Sequence, residues 1–401
     1  MSEVPATGLM RGCAVWEDGA GWAPGPSSLS QGRRSLAVRT TRPSLLHPFE
    51  PDPSFERLET ALLGKEPDRV PLIELTVDRA VEAALLGRPV SGLCDEVGFW
   101  LAAGYDYIPL SPAFEVPAGR AVAAPPAACP EKGEPPERVW CLKTRARAPM
   151  RTPADLDACE WLAMDDSLFC DFEEIRKYLP PGMKVIGCVP GLVDTVTGIM
   201  GLEAFCVALY ECTDLVEALF QRAGALIESC IQRMLQYDTV GAVWIADDLA
   251  HHHGPLFSPA MLRRYVFPRY KSFTGMAHAQ GRPALLHTCG NPTALFEDIV
   301  GAGFDALHPL EAGCVDIYEA KERLGGRICL CGNLDLTRPA PALTGSQQIV
   351  VEDVKEHLRR LAPGGGYCLG SSHGIAGYVP LESYLAMNRA CLAFGRYPIS
   401  L

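Results

Sequence analysis

One histidine and two cysteines stand at the ends of two short apolar runs, and their residue types suit a metal site. The first run leads into His287 and Cys289, and the second contains Cys368. Each run is typical of a buried strand, where residues two apart point to the same side, so His287 and Cys289 can face one point. One imidazole and two thiolates suit zinc and leave its fourth position open, as in catalytic zinc sites. A thiol bound at that position would lose its proton and become a strong nucleophile.

The competing interpretation is that these residues are core thiols beside a hydrogen-bonded histidine. The chain has 16 cysteines, and free cysteine is a common core residue. The position of histidine and cysteine at strand ends favours the metal interpretation. A second pair, Cys329 and Cys331, lies on one face of another short strand. Core packing is favoured for Cys329, whereas Cys331 stays open as a neighbour of the same site.

The composition is typical of a globular protein, and the net charge suggests a cytosolic enzyme. Hydrophobic residues make up 48% and charged residues 21% of the 401 residues, and no apolar run approaches the roughly 20 residues of a membrane helix. A net charge of -12 argues against a nucleic-acid surface. The cysteines lack the spacing of a secreted disulfide framework, so we expect reduced thiols and a cytoplasmic location.

The first fifty residues differ from the rest of the chain. They contain clusters of glycine, proline and serine, such as 23–28, and no apolar core of the signal-peptide type. We predict a disordered extension over 1–50 and a single domain over 51–401.

Strand-like and helix-like segments alternate through this predicted domain, which indicates a parallel sheet of the α/β class. About eight strands fit a closed (β/α)8 TIM barrel better than an open sheet. The predicted strands are 70–75, 107–110, 183–188, 242–246, 284–288, 305–309, 327–332 and 366–369. The predicted helices are 79–86, 93–103, 202–210, 215–235, 259–279, 293–301, 316–324, 347–361 and 381–394. Residues 139–142 are a candidate arm of a hairpin.

Other polar residues gather at the carboxyl ends of the predicted strands, the face on which such a barrel builds its active site. Glu74 ends the first strand and is a candidate oxygen ligand that substrate displaces, although it could equally pair with an arginine. Asp247, His251 and His373 are candidates for the lining of the pocket. The run 251–253 of three histidines is a weak metal signal, because consecutive side chains diverge.

These residues, with segments 247–249, 254–259, 307–311 and 332–335, resemble the uroporphyrinogen decarboxylase superfamily over roughly residues 55–397. Its decarboxylases use no metal and hold a tetrapyrrole with arginines near the first strand. Its methyltransferases carry a His-x-Cys pair and a distant Cys as zinc ligands. The first strand of this chain, 70–75, lacks the arginines, so the resemblance points to the methyltransferase branch.

The resemblance implies that His287, Cys289 and Cys368 hold zinc. Glu74 is the candidate for an exchangeable ligand, and Asp247, His251 and His373 are the candidate catalytic residues. It implies methyl transfer between a small-molecule donor or thiol acceptor and the corrinoid of a partner protein. The chain has no Asp-x-His-x-x-Gly cobalamin-binding motif of its own.

Two rival functions follow from the same resemblance, namely a metal-free uroporphyrinogen decarboxylase and a non-catalytic barrel that binds a corrinoid or tetrapyrrole. We expect no nucleic-acid or membrane partner, and the sequence leaves a homodimer open.

Overall fold

A sheet of seven parallel strands is the framework of the molecule. The computed structural model describes residues 51–113, 152–157, 161, 164–336 and 347–401. Its strands, including two very short ones outside the main sheet, are β1 Tyr107–Leu110, β2 Lys184–Pro190, β3 Val240–Ala246, β4 Ala250–His251, β5 Gly254–Pro255, β6 Ala284–Thr288, β7 Ala306–Pro309, β8 Cys329–Cys331 and β9 Tyr367–Cys368.

Helices fill most connections between these strands, as parallel pairing requires. They are α1 Phe55–Leu62, α2 Arg79–Leu86, α3 Leu93–Ala102, α4 Pro153–Asp157, α5 Cys170–Glu174, α6 Leu192–Met200, α7 Leu202–Glu211, α8 Thr213–Met234, α9 Pro259–Tyr265, α10 Phe267–Ala279, α11 Phe296–Gly301, α12 Ile317–Leu324, α13 Gln347–Leu361 and α14 Leu381–Phe394.

The strands lie in the order β1-β2-β3-β6-β7-β8-β9, and β4 and β5 form a separate antiparallel pair. All positions of β3 are buried, as expected of a nearly continuous apolar strand that is covered on both faces. The predicted α/β class with a parallel sheet is therefore confirmed.

The predicted first strand, 70–75, forms one isolated parallel bridge, between Leu72 and Leu369, rather than a regular strand. The amide of Ile73 donates to the Leu369 carbonyl, and the amide of Leu369 donates to the Pro71 carbonyl, each at 2.9 Å. On the opposite side, the Tyr107 hydroxyl in β1 accepts a hydrogen bond from the Glu74 amide at 2.7 Å. The segment thus contacts both edge strands of the sheet, which curls to meet it.

The prediction of one long helix over 259–279 is wrong in its middle. The Ser258 side chain caps the amino end of α9 as expected, with the Met261 amide as donor. The helix stops at Tyr265, and α10 begins at Phe267 with Pro268 in its first turn. Proline has no amide hydrogen to continue the ladder, and its ring clashes with the preceding turn.

Helices α1 and α6 were absent from the prediction, and α6 contacts the site through Asp247. The amino end of α6 follows Gly191 directly, without a polar side chain in the capping position. A short helix without a side-chain cap leaves little trace in the sequence.

Within the described ranges, no single helix is long and apolar enough to cross a membrane, although the bent pair α6 and α7 passes that test together. The predicted extension over 1–50 and the hairpin arm at 139–142 lie outside the described residues. The domain boundary at residue 51 stays a prediction.

A buried ion-pair network fixes α1 against the start of β1. The Arg57 guanidinium donates to Asp106 and to Asp68, in both cases at 2.6 Å. The side chains of Arg57 and Asp106 are only 4% and 1% exposed. Removing Asp106 would take a buried anionic partner from the Arg57 guanidinium and leave it with Asp68, whose side chain is 53% exposed.

We expect Asp106→Ala to lower the free energy of unfolding by about 3 kcal/mol, the usual cost of breaking a buried pair. The measurement is urea unfolding followed by circular dichroism. Asp238→Ala is the matched control, because its pair with Arg176 is 74% and 61% exposed. Equal shifts of the unfolding midpoint in the two variants would contradict the structural role of Asp106.

Candidate metal centre

The thiol of Cys289 lies between two imidazole nitrogens at the carboxyl end of β6. Its Sγ atom is 3.2 Å from Nε2 of His287 and 3.1 Å from Nε2 of His373. Donor atoms around a tetrahedral zinc stand about 3.6 Å apart, given Zn–S and Zn–N bonds of about 2.3 and 2.0 Å. The rings of His287 and His373 are nearly perpendicular, with centroids 6.1 Å apart. Both imidazoles therefore contact the Cys289 sulfur.

A carboxylate belongs to the same cluster. Ligand atoms of Asp248, His287 and Cys289 all lie within 4.8 Å of one another. An Asp248 oxygen also accepts a hydrogen bond from the Cys289 amide at 3.3 Å. The set thus offers nitrogen, sulfur and oxygen donors, which are the ligands that zinc accepts in catalytic sites.

His287 is held from behind by a second histidine. Strands β3, β6 and β7 pair in register so that Ala246, His287 and His308 are neighbours. The Nδ1 atoms of His287 and His308 are 2.8 Å apart, so one of them must carry the shared proton. If His287 carries it, its Nε2 lone pair is free to face Cys289. The His308 proton then lies on Nε2, an atom without a hydrogen-bond partner among the described residues.

Burial keeps both imidazoles neutral. It lowers the pKa of His287 to about 4 and that of His308 well below the ordinary value. A neutral imidazole is the form that binds metals.

The Cys289 thiol has the opposite tendency. Burial, and next the Asp248 carboxylate, raise its pKa well above the ordinary value. Only a nearby cation would favour the thiolate in these surroundings, since bound metal ions reverse the local pKa order. The carboxylates that disfavour the thiolate would also attract that cation.

A glycine permits the turn that follows Cys289. Gly290 has φ +72°, and a Cβ atom there would lie 2.6 Å from the backbone of His251. Its amide donates to the Glu311 carboxylate at 2.7 Å. The next amide, Asn291, donates to the His251 carbonyl. The β4–β5 hairpin and Glu311 therefore hold the end of β6 in place.

His251 contributes this backbone contact, while its own ring is exposed and accepts a hydrogen bond from the His253 amide at 3.1 Å. Its neighbour His252 places Nδ1 3.0 Å from Sγ of Cys314. The three consecutive histidines diverge, as the sequence indicated, and none of their ring nitrogens joins the Cys289 cluster.

Asp247 is fully buried, and its carboxylate binds the amino end of α6. Its carboxylate accepts hydrogen bonds from the amides of Val193 and Asp194, at 3.0 and 2.8 Å, and from the Tyr270 hydroxyl. Gly191 makes this approach possible, because a Cβ atom there would lie 1.9 Å from the Asp247 side chain. In the structure, Asp247 therefore supports the amino end of α6 rather than lining the pocket.

Asp194 is a residue that sequence reasoning missed. It lies in the first turn of α6, and burial, with the charges of Asp247 and Asp248, raises its pKa to about 8. A lone aspartate in a helix that was not predicted gave no usable signal.

Glu74 is fully buried and bound to the loop that carries His373. Its carboxylate accepts hydrogen bonds from the Ser371 amide at 2.5 Å and from the Ser371 hydroxyl at 2.8 Å. Burial raises the pKa of Glu74 to about 8. Both of its oxygens are thus engaged away from Cys289, which corrects the expectation of an exchangeable ligand in this conformation.

Cys368 lies beside other thiols rather than beside His287 and Cys289. The sulfur atoms of Cys329, Cys331 and Cys368 all lie within 4.8 Å of one another, because β8 and β9 pair Cys331 with Cys368 in register. In the described conformation, the third donor next to Cys289 is therefore His373, which the sequence assigned to the pocket.

The sequence of this chain matches a known protein family. The sequence profile of the uroporphyrinogen decarboxylase (URO-D) family matches residues 144–394. A methylcobamide:CoM methyltransferase, MtaA of Methanosarcina barkeri, is 27% identical over 218 residues, which are 54% of this chain and 60% of that protein. A uroporphyrinogen decarboxylase of Coxiella burnetii is 26% identical over 260 residues, or 62% of this chain and 69% of that protein.

A solved structure shares the fold. A methyltransferase from Methanosarcina mazei superposes with a TM-score of 0.62 at 22% identity, covering 86% of this chain and 99% of that one. The resemblance noted in the sequence is confirmed by the family match, which spans more than half of the residues. The chain belongs to the uroporphyrinogen decarboxylase (URO-D) family.

Proposed function

We propose that this protein is a zinc-dependent methyltransferase that moves a methyl group between a small-molecule donor or thiol acceptor and a corrinoid carried by a partner protein. The observation that carries the proposal is the Cys289 thiol, held 3.2 and 3.1 Å from two imidazole nitrogens. The similarity to a methylcobamide:CoM methyltransferase supports it. That match spans 60% of the relative, so its activity is carried over only as a proposal.

The zinc ligands in this proposal are His287, Cys289 and His373. His373 replaces the predicted Cys368, because its Nε2 atom lies next to the Cys289 sulfur while Cys368 contacts Cys329. Asp248 is the nearest carboxylate and a candidate for the position that substrate takes over. His308 orients His287 through the hydrogen bond between their Nδ1 atoms, as groups bonded to the other ring nitrogen of a metal-bound histidine generally do.

Zinc at this position would supply either a nucleophilic thiolate or a Lewis acid for an oxygen leaving group, depending on the direction of transfer. The chain's own residues would position the reaction. Glu311 and Asp248 hold the backbone on either side of Cys289, and Glu74 holds the His373 loop. Rigid supports of this kind keep donor and acceptor atoms in near contact.

We further propose that segment 70–75 closes the sheet into an eight-stranded (β/α)8 barrel. The backbone bonds from this segment to Leu369 and its contact with Tyr107 support closure. The carboxyl ends of β6, β7 and β9 would then open into one mouth, where barrels of this type place their sites. This mouth would have to admit the corrinoid of the partner. The cytoplasmic location and the homodimer stay predictions.

Metal-free decarboxylation of a tetrapyrrole is the second candidate. The similarity to uroporphyrinogen decarboxylases over 62% of the chain favours it. The absence of arginines from 70–75 opposes it, because a multiply carboxylated tetrapyrrole needs cationic partners.

We expect Cys289→Ala and His373→Ala to lose bound zinc and to slow methyl transfer at least about 100-fold, the upper end of what a support residue alone would cost. Zinc is measured by elemental analysis of purified protein. Transfer is followed by the absorbance change of methylcobalamin with coenzyme M as acceptor.

The matched control is Cys94→Ala, since this thiol is free and exposed. Zinc-free wild-type protein that decarboxylates uroporphyrinogen, after growth in metal-replete medium, would establish the second candidate instead.

Variants of Glu74 distinguish a carboxylate that binds zinc from one that only holds the His373 loop. Glu74→Gln matches the neutral acid in shape, so we expect it to keep zinc, whereas Glu74→Ala should weaken zinc binding about 10- to 100-fold by releasing the His373 loop. Loss of zinc in Glu74→Gln would show instead that the carboxylate binds the metal.

The same variant has a pH signature. The raised pKa of Glu74, about 8, favours the protonated acid in the folded state, so its contribution to stability is complete below pH 4.5 and lost as the pH rises to 8. Wild-type protein should therefore lose on the order of 3 kcal/mol more stability than Glu74→Gln between pH 5 and 8.5. Thermal unfolding across this range measures the difference, with the exposed Glu319→Gln as control. Parallel curves for wild type and Glu74→Gln would contradict the assignment.

A further inference from the structure

Three thiols form a second cluster of metal-binding groups, separate from the candidate metal centre. Cys329 and Cys331 project from the same side of β8, because residues two apart in a strand share a face. Cys368 lies opposite Cys331 in β9. The side chains of all three are completely buried. Their sulfur atoms lie within 4.8 Å of one another.

The spacing of these sulfurs is that of thiolates on one ion. Sγ of Cys329 and Sγ of Cys368 are 3.8 Å apart, and two sulfurs on a tetrahedral zinc with Zn–S bonds of about 2.3 Å are also about 3.8 Å apart. Backbone pairing of adjacent strands fixes these positions before any ion arrives, so binding would need little rearrangement. Packed core thiols reach similar distances, and the experiment below therefore separates the two cases.

A lysine beside the cluster supplies the charge that such a site would need. Lys321, in α12, donates from Nζ to the carbonyls of Gly365 and Gly366 at 2.7 and 3.3 Å. Its ammonium charge acts on Cys329 and Cys368. Three thiolates around a divalent cation carry one net negative charge, which a single ammonium group offsets. An uncompensated charge at this depth would be costly.

We propose that Cys329, Cys331 and Cys368 form a second, closed binding site for a soft divalent cation such as zinc, with Lys321 as its counter-charge. On binding, the three thiols release their protons and three metal–sulfur bonds form, without oxidation or reduction. Thiolate ligands select for soft cations. Because the strand β9 leads directly into the Ser371–His373 loop, the ion would tie β8 to the strand that positions the candidate metal centre.

The inference concerns different residues from the proposed function, and one set of variants tests them separately. Purified full-length protein is analysed for bound zinc and then titrated with cadmium(II), whose bonds to thiolate absorb in the near ultraviolet. The variants are Cys331→Ala, Cys368→Ala, Cys289→Ala and the double variant Cys289→Ala/Cys331→Ala. Cys391→Ala is the matched control, since Cys391 is also completely buried but bonds to the Val70 carbonyl.

We expect wild type and Cys391→Ala to bind two equivalents of metal, each single variant at the two sites to bind one, and the double variant to bind none. Cys331→Ala and Cys368→Ala should also lose most of the cadmium–thiolate absorbance and the rise in melting temperature on cadmium addition. The use of two variants guards against one that fails to fold.

Other outcomes assign the failure to one site. A single equivalent that Cys289→Ala loses and Cys331→Ala keeps would overturn the second site and leave the proposed function standing. A single equivalent with the reverse pattern would overturn the proposed function alone. A single equivalent lost in both Cys289→Ala and Cys368→Ala, yet kept in Cys331→Ala, would overturn the inference and place Cys368 with His287, as the sequence predicted.

Discussion

The hydrogen bond between the Nδ1 atoms of His287 and His308 is the constraint on which the candidate metal centre depends. Both rings are buried, and only one proton can lie between atoms 2.8 Å apart. Burial also keeps both rings uncharged, so the pair does not take up a second proton. The tautomer in which His287 donates leaves its Nε2 lone pair facing the thiol. The backbone pairing of β3, β6 and β7 sets the positions of the two rings, and the sheet thus places the Nε2 atom of His287 beside the thiol.

Around this fixed nitrogen, the mouth is built from carboxylates that act in two ways. The carboxylates of Asp247 and Glu311 accept hydrogen bonds from the backbone amides of α6 and of Gly290, and so hold α6 and the end of β6 in place. Asp248 and Glu311 also make the surroundings of the Cys289 thiol negative. A negative pocket with neutral imidazoles is suited to a divalent cation, because it offers lone pairs and an attractive field together.

The sequence predicted the parts of this site that depend on local geometry. His287 and Cys289 follow from strand alternation alone, and the structure places them together. His373 was recognised as a pocket residue but not as a neighbour of Cys289, because its loop follows a path set by Glu74, far away in the sequence. Cys368 was expected beside His287 because it lies on a strand of the same sheet. Strand alternation predicts which face of the sheet a side chain points to, but not which residue of the neighbouring strand it lies beside. The register that pairs Cys368 with Cys331 is set by the tertiary structure. The break between α9 and α10, by contrast, could have been predicted from Pro268.

The bond between Glu74 and Ser371 joins residues 297 positions apart. A ribosome makes the chain from its amino end at about 5–20 residues per second, so β6, with His287 and Cys289, is complete well before Ser371 exists. Until then the Glu74 carboxyl, which the finished protein buries completely, has no partner and can remain hydrated. The partner that buries Glu74 and the loop that carries His373 therefore both belong to the last part of the chain to be made. A chain released before Ser371 would have neither the closing contact nor the second imidazole beside Cys289.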